Sequence, residues 1–222
     1  MSIFKQFLDR TVDVEISGEK KLTGVLIDIG QDILVVYNGY HFLYVPLHHV
    51  KYMKANLKAD EEIQNPGSVP IVEGTEISYR NMLQHARGQF TEIYVSGNQA
   101  IHGYVTSTLN DYFVFYSPVF KSMYIPLFHL KWLIPYPIQQ TPYSLDRSAL
   151  PVSPSSTPLS RTFEEQIGRL QGKLVVFDLG MDANKIGLLQ NVNNRFAELV
   201  TAQQHRYFWN IQHIKTVHSP VV

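Results

Sequence analysis

The 222-residue chain is apolar enough to build packed cores, since 45% of its residues are hydrophobic and 17% are charged. Its 19 basic and 19 acidic residues cancel, which counts against a dedicated nucleic-acid-binding protein, because such proteins usually carry a basic excess. There is no cysteine, which excludes disulfides, thiolate zinc sites and thiol catalysis.

The first predicted elements form a short helix followed by five strands. Apolar residues in "IFKQFLDR" recur at three- and four-residue spacing, as on a helix. "TVDVEI" alternates with a period of two and predicts a half-buried strand. "LTGVLIDI" predicts a second strand, in which Gly24 indicates a sharp bend or a close backbone approach. "ILVVY", "FLYVP" and "VKYM" predict the remaining three strands.

The same order of elements returns twice along the chain. "YVPLHHVK" at 44–51 reappears as "YIPLFHLK" at 124–131 and as "FWNIQHIK" at 208–215. The openings "SYRNMLQHAR" and "TFEEQIGRLQ" repeat the amphipathic helical spacing. One short helix and five short strands predict a small, strongly bent barrel. The expected fold class is therefore mainly β, with three tandem Sm-like or SH3-like β-barrels, each with a short N-terminal helix.

The spacing of the repeats predicts three domains and two linkers. Sm-like repeats are expected at 1–56, 78–137 and 161–219. The linker 57–77 is acidic and contains proline and glycine. The linker 138–160 is rich in proline and serine, a composition typical of an extended tether.

One histidine recurs in every copy, at the corner between the fourth and fifth strands: His49, His129 and His213. Pro46 lacks an amide hydrogen and ends the fourth strand there, and a single 3₁₀ turn is expected to follow. A metal site would need three or four convergent ligands, and a general base would need a partner at matching positions. We favour a structural role in the corner and predict no catalytic residues, no metal site and no cofactor.

A lysine follows each repeated histidine by two residues: Lys51, Lys131 and Lys215. A histidine and lysine pair at an exposed edge can hold a phosphate or a carboxylate. The alternative is a solvent-facing lysine that protects an edge strand from pairing, and we favour it. The six histidines and lysines are nevertheless kept as candidate binding residues.

Two other corner positions change between the copies. The residue before the repeated histidine is His48, Phe128 or Gln212, so we interpret His48 as a surface residue. The turn before the third strand carries Asp32 and Asp111 but then Arg195, and we expect these aspartates to form local Asx turns.

A glycine-bent strand followed by "Y-x-P-L-x-H-[VIL]-K" resembles the Sm-like repeat domain of endospore-forming bacilli. The arrangement of three such units resembles the spore coat protein B family. The resemblance implies a non-enzymatic structural or interaction protein of the endospore coat, whose partners are other coat proteins and further copies of itself. It also implies synthesis in the mother-cell cytoplasm and deposition in the coat.

The N-terminal residues and the hydropathy agree with that localisation. "MSIFKQFLDR" shows no secretory signal, and no stretch approaches the roughly 18 apolar residues of a membrane helix. The rival hypothesis is an Sm-like RNA-binding protein that uses the repeated histidine and lysine corners. Zero net charge and the acidic first linker favour the coat protein over the RNA-binding protein.

Overall fold

The computed structural model describes residues 3–57, 63–64, 77–97, 99–137, 142–144 and 158–220, so most of both predicted linkers lies outside the described residues. None of the helices in these ranges has the length and apolar character needed to cross a bilayer. The strands and α-helices are β1 Thr11–Ile16, β2 Lys20–Ile29, β3 Ile33–Tyr37, β4 Phe42–Pro46, β5 Val50–Ala55, α1 Tyr79–His85, β6 Phe90–Tyr94, β7 Ile101–Thr108, β8 Tyr112–Ser117, β9 Lys121–Pro126, β10 Trp132–Pro135, α2 Phe163–Gly168, β11 Leu174–Phe177, β12 Ile186–Asn193, β13 Phe196–Val200, β14 Arg206–Asn210 and β15 Val217–His218.

All fifteen strands belong to one open antiparallel sheet. We call β1–β5 unit 1, β6–β10 unit 2 and β11–β15 unit 3. Across the sheet, each unit has the same spatial order, which is its fourth, third, second, first and fifth strand. The predicted mainly β class is confirmed, and the repeat is visible in the topology.

The units are joined to one another through their fourth and fifth strands. β4 pairs with β10, where Tyr44 lies opposite Leu133, and β9 pairs with β15, where Tyr124 lies opposite Val217. Within the described ranges, no ladder joins the fourth and fifth strands of the same unit. Three separate barrels are therefore not confirmed, because the pairing that would close each one is made with a neighbouring unit.

Only units 2 and 3 open with an α-helix. Ser78 and Thr162 cap α1 and α2 by accepting a hydrogen bond from the backbone N–H three residues on, as N-cap side chains do. Unit 1 opens instead with a 3₁₀ helix, Ile3–Phe7, and the prediction of a helix there is met only in this tighter form. The expected 3₁₀ turns at the corners are present as Leu47–His49, Leu127–His129 and Ile211–His213.

The repeated strand glycine is explained by close backbone approach. A Cβ atom at Gly24 would lie 2.3 Å from the carbonyl oxygen of Tyr37 on β3. Gly103 and Gly187 face the equivalent oxygens of Tyr116 and Val200 at 2.1 and 2.3 Å. A β-bulge follows each glycine a few residues later, and such bulges bend a strand. Of the two roles predicted for this glycine, the close backbone approach is confirmed in every unit.

The third and fourth strands of units 1 and 2 are buried on both faces. One face of β3 and β4, with Leu34 and Val36, packs in the core of unit 1. The opposite face, with Ile33, Val35 and Tyr44, packs in the core of unit 2. We call this contact seam 1. Seam 2 is the equivalent contact of units 2 and 3, in which the corresponding residues Tyr112, Val114 and Tyr124 pack in the core of unit 3.

Candidate interaction site

The turn aspartates lie in the seams and bind the next unit. Asp32 Oδ1 accepts a hydrogen bond from the backbone N–H of Tyr79, the first residue of α1, at 2.8 Å. Asp111 Oδ1 accepts one from the N–H of Phe163, the first residue of α2, also at 2.8 Å. The first N–H groups of a helix have no partner inside the helix, so each aspartate satisfies one across its seam. The prediction of local Asx turns was wrong for this pair.

Arg195 replaces the aspartate in the unit that, among the described residues, has no further unit to bind at this turn. Arg195 occupies the same turn in unit 3, after which no further unit follows in the sheet order. Its backbone N–H donates to Glu164 Oε1 at 3.3 Å, within its own unit. A signal of the seam was therefore present in the sequence, as a turn residue that the first two copies share and the third copy changes.

Two histidines also bridge the seams. The Nε2–H of His48 donates to the carbonyl oxygen of Phe128 across seam 1 at 3.1 Å. His129 Nε2–H donates to the carbonyl oxygen of Gln212 across seam 2 at 2.9 Å. The two acceptors occupy the same repeat position, whereas the donors do not. His48 is exposed, as expected, but its ring also stacks on Phe128 at a centroid distance of 5.0 Å, so it takes part in the seam.

His49 is held inside unit 1. Its Nδ1 lies 2.7 Å from the hydroxyl oxygen of Ser17, and its carbonyl oxygen accepts from the Ser17 backbone N–H at 2.8 Å. Burial, followed by the nearby His48 and Lys131, lowers the pKa of His49 to about 4. A ring with this pKa is neutral at pH 7. The arrangement ties the fourth-strand corner to the first turn of the same unit.

The other two repeated histidines have different surroundings. Burial lowers the pKa of His129, and the hydrogen bond to the Gln212 carbonyl opposes that shift. His213 is exposed at the corner of unit 3. Within the part of the chain that the structure describes, no group of three or more histidine, aspartate or glutamate side chains could hold a metal ion.

Each repeated lysine contacts the equivalent residue of its own unit. That residue lies at the end of the first strand or in the turn that follows the first strand. Lys51 forms a 3.1 Å ion pair with Glu15, and the ammonium of Lys131 lies 5.5 Å from the ring centroid of Tyr94. In unit 3 the contact is made by the backbone, since the N–H of Lys215 donates to Asp178 Oδ1 at 2.7 Å. These partners were not predicted, although their spacing from the repeated glycine is the same in every copy. The pairs are Lys51 with Glu15, Lys131 with Tyr94, and Lys215 with Asp178.

Positive charge collects around Lys131. The ammonium of Lys20 also lies 5.5 Å from the Tyr94 ring centroid, so two cations share one aromatic ring. Burial lowers the pKa of Lys131, and the neighbouring Lys215 and Lys20 lower it further. These three lysines come from three different units. The cluster has the charge needed to attract an anionic group, and Lys51 takes no part in it.

A cleft of about 610 Å³ lies along seam 2 between the corners of units 2 and 3. It brings together two of the predicted candidate residues, His129 and His213, and does not include the other four. Its charged lining is mixed, with carboxylates and a guanidinium in the same wall. The principal polar residues that line it are Asp111, His129, Glu164, Arg195 and His213.

Comparisons with known proteins agree with the repeat and identify its relatives. A family model described as the YwrJ third domain matches residues 162–217, from the capping residue of α2 to β15. Uncharacterized protein YwrJ of Bacillus subtilis (strain 168) is 48% identical over 225 residues, which cover 99% of this chain and 100% of that protein. Spore coat protein B of the same organism is 26% identical over 147 residues, which cover 65% of this chain and 36% of that protein. The predicted likeness to spore coat protein B is therefore distant and partial.

Proposed function

This chain belongs to the YwrJ family, and on that premise we propose that it is a non-enzymatic structural protein of the bacterial endospore coat. The likeness to spore coat protein B supports the coat assignment, although it covers 36% of that protein. In this proposal the protein is deposited in the coat after synthesis in the mother cell. It assembles there with other coat proteins through protein–protein contacts.

The observation that carries the proposal is that polar residues at the repeat positions form hydrogen bonds between units. A catalytic or ligand-binding protein directs its histidines and carboxylates toward a reacting molecule. Here Asp32, Asp111 and His129 instead form hydrogen bonds that join one unit to the next. Polar side chains that form hydrogen bonds between repeats are typical of a scaffold. In a scaffold the arrangement of the units is itself the function.

We further propose that each unit is a copy of an Sm-like domain. The shared strand order and the bent second strand, with its glycine and bulge, support this identification. The pairing of the fourth strand with the fifth strand of a neighbour extends the sheet without an exposed edge between units. Such pairing lets small domains, which are marginal alone, share their cores.

The lysine cluster favours a second candidate function, which is binding to RNA. Lys20 and Lys131 lie over the ring of Tyr94, and Lys215 adds positive charge beside Lys131. A protein that neutralises phosphates loses affinity steeply as salt is added. The neutral chain as a whole provides little long-range attraction for a polyanion.

The experiment that tests the coat function follows the protein through sporulation. An epitope-tagged chain expressed from its native promoter in sporulating Bacillus cells should accumulate in the mother cell and be recovered from the coat fraction of purified spores. Affinity purification before coat assembly is complete should recover coat proteins. Expression confined to growing cells, or absence from purified spores, would contradict the proposal.

A binding assay with the purified protein separates the two functions. We expect no RNA binding that depends on salt, and the same result for a Lys20→Gln, Lys131→Gln, Lys215→Gln triple variant. Binding that weakens with added salt in the wild type and is lost in the triple variant would favour the RNA function. The exposed pair Lys5→Gln and Lys121→Gln, outside the cluster, serves as the matched control.

A further inference from the structure

The sheet ends in two edges of complementary type. β14, the fourth strand of unit 3, forms one edge, and β5, the fifth strand of unit 1, forms the other. In both seams a fourth strand pairs with a fifth strand. Among the described residues, one fourth strand and one fifth strand therefore remain without the partner that the other fourth and fifth strands have in the two seams. An exposed edge strand carries unpaired backbone groups and is a template for strand addition.

The outer face of unit 3 carries apolar side chains at the seam positions. Phe196 and Phe208 correspond to Ile33 and Tyr44 of unit 1, by their equal spacing from the repeated glycine and the repeated histidine. Their counterparts in units 1 and 2 are buried, whereas Phe196 is 43% exposed and Phe208 is 64% exposed. Large aromatic side chains at positions that are otherwise covered by a following unit indicate that this face also contacts a partner.

Unit 1 presents the matching surface at the other edge. Met53 occupies the position of Leu133 and Val217, which are both fully buried opposite a fourth strand. Ile3, on the opening 3₁₀ helix, occupies the position of Gln166, whose side chain contacts Tyr112 across seam 2. Ile3 is 75% exposed. The charged residues of β5 are neutralised within unit 1, where Lys51 and Lys54 pair with Glu15 and Asp13.

We propose that the chain associates head to tail with further copies of itself, through antiparallel pairing of β14 of one copy with β5 of another. Continuity with the two internal seams fixes the register, in which Phe208 lies opposite Met53 of the second copy. The same continuity brings Ile3 of the second copy to Phe196. Because the two surfaces differ, the contact is heterologous, and it produces a closed ring or an open filament.

The interface between copies differs from the internal seams in one respect. Arg195 replaces the aspartate that binds the next helix, and the opening of unit 1 is a 3₁₀ helix without a capped α-helical turn. The contact therefore lacks the hydrogen bond that Asp32 and Asp111 supply in the seams. This inference goes beyond the coat function, since it concerns the purified chain and holds for either proposed function.

Disulfide trapping tests the register directly, because the chain has no cysteine of its own. Met53→Cys and Phe208→Cys variants are purified separately, mixed and oxidised. Residues directly opposite each other in antiparallel strands have Cα atoms about 4.5–5.5 Å apart, within the range that a disulfide spans. We expect a cross-linked heterodimer of the two variants. The matched control mixes Met53→Cys with Val119→Cys, since Val119 is 65% exposed and lies away from both edges.

Light scattering after size-exclusion chromatography tests the association itself. At roughly 100 µM the wild type should have a mass above that of the monomer, and the mass should rise with concentration. Phe208→Asp should weaken the association at least about tenfold, as loss of an aromatic contact residue does, while Val119→Asp should leave it unchanged. The proposal would be overturned by a wild type that stays monomeric up to roughly 100 µM, or by cross-linking no greater than in the Val119 control.

Discussion

The face of β3 and β4 in unit 1 and the face of β13 and β14 in unit 3 are built from the same repeat positions, but among the described residues only the first is covered by a following unit. Where unit 1 has Val35, buried in the core of unit 2, unit 3 has Glu198, which forms a 3.3 Å ion pair with Arg206. Where unit 1 has Asp32, bonded to α1, unit 3 has Arg195. The third copy thus differs from the others at residues that contact a next unit.

Divergence among the three units follows the presence or absence of a following unit. A change in one copy is often taken as a loss of function at that position. Here the changed residues are those that hold a following unit, and among the described residues no unit follows the copy at the end of the sheet. The same face of unit 3 keeps large apolar side chains at two of the seam positions, Phe196 and Phe208.

The strongest test transfers the unit 3 residue into unit 1. Val35→Glu places a carboxylate in the core of unit 2, where no described cation is paired with it, and we expect it to cost at least about 3 kcal/mol of unfolding free energy. Urea denaturation followed by tryptophan fluorescence, from Trp132 in unit 2 and Trp209 in unit 3, measures the loss. The reverse variant, Glu198→Val, removes one ion pair whose Arg206 partner is 68% exposed, and it should change stability by less than about 1 kcal/mol. Equal effects of the two variants would remove the distinction between a covered and an uncovered face.

A smaller effect is expected from pH, because His49 is buried and His213 is exposed. The pKa of His49 is lowered to about 4, so the unfolded chain binds a proton below about pH 6.5 while the folded chain does not. Stability should therefore fall as the pH falls, by about 2 kcal/mol from His49 between pH 6.5 and pH 5. Burial lowers the pKa of His129 and His218 as well, which adds to the fall in the same direction.

The pH effect is assigned to His49 by substitution. In His49→Gln, urea denaturation at a series of pH values should show a shallower dependence, whatever the stability of the variant at pH 7. His213→Gln should keep the slope of the wild type. An unchanged slope in His49→Gln would mean that the ring is protonated in the folded protein.

The smallest expected effect concerns the turn aspartate. Asp32→Ala removes the acceptor of the Tyr79 N–H, and the loss should resemble that of a helix-capping side chain, about 1 kcal/mol. Arg195→Ala, at the same position of unit 3, should stay within about 0.5 kcal/mol of the wild type. Thermal unfolding of the two variants side by side gives the comparison, and a larger loss in Arg195→Ala would reverse the roles assigned to the two turns.

Much of the fold follows from the sequence because its signals are local. The alternation of "TVDVEI" predicts β1, and the repeated glycine predicts the close approach of the second and third strands. What the sequence did not reveal is the partner of each fourth and fifth strand. Pairing within a unit and pairing with a neighbour bury the same alternating residues. The alternation of apolar and polar residues therefore does not distinguish a closed barrel from a continuous sheet.

The candidate site was predicted in part. The repeated histidines do lie at the predicted corners, but the groups that bridge the seams include Asp32, Asp111 and His48, which were assigned local or surface roles. Their partners are more than 45 residues away in the chain, and hydrogen bonds over such separations leave no periodic pattern. Only the comparison of copies, position by position, contains that information.

The shared cores of the seams also determine how the protein can come apart. Unit 2 contributes to seam 1 with α1 and β10 and to seam 2 with β8 and β9, whereas units 1 and 3 each contribute to one seam. Opening the central unit alone would therefore expose two apolar surfaces, and opening a terminal unit would expose one. In a linear array with nearest-neighbour coupling, local unfolding begins at the ends and the middle repeat opens last. The same units that stay free to meet a second copy are thus the ones that fray first in a single chain.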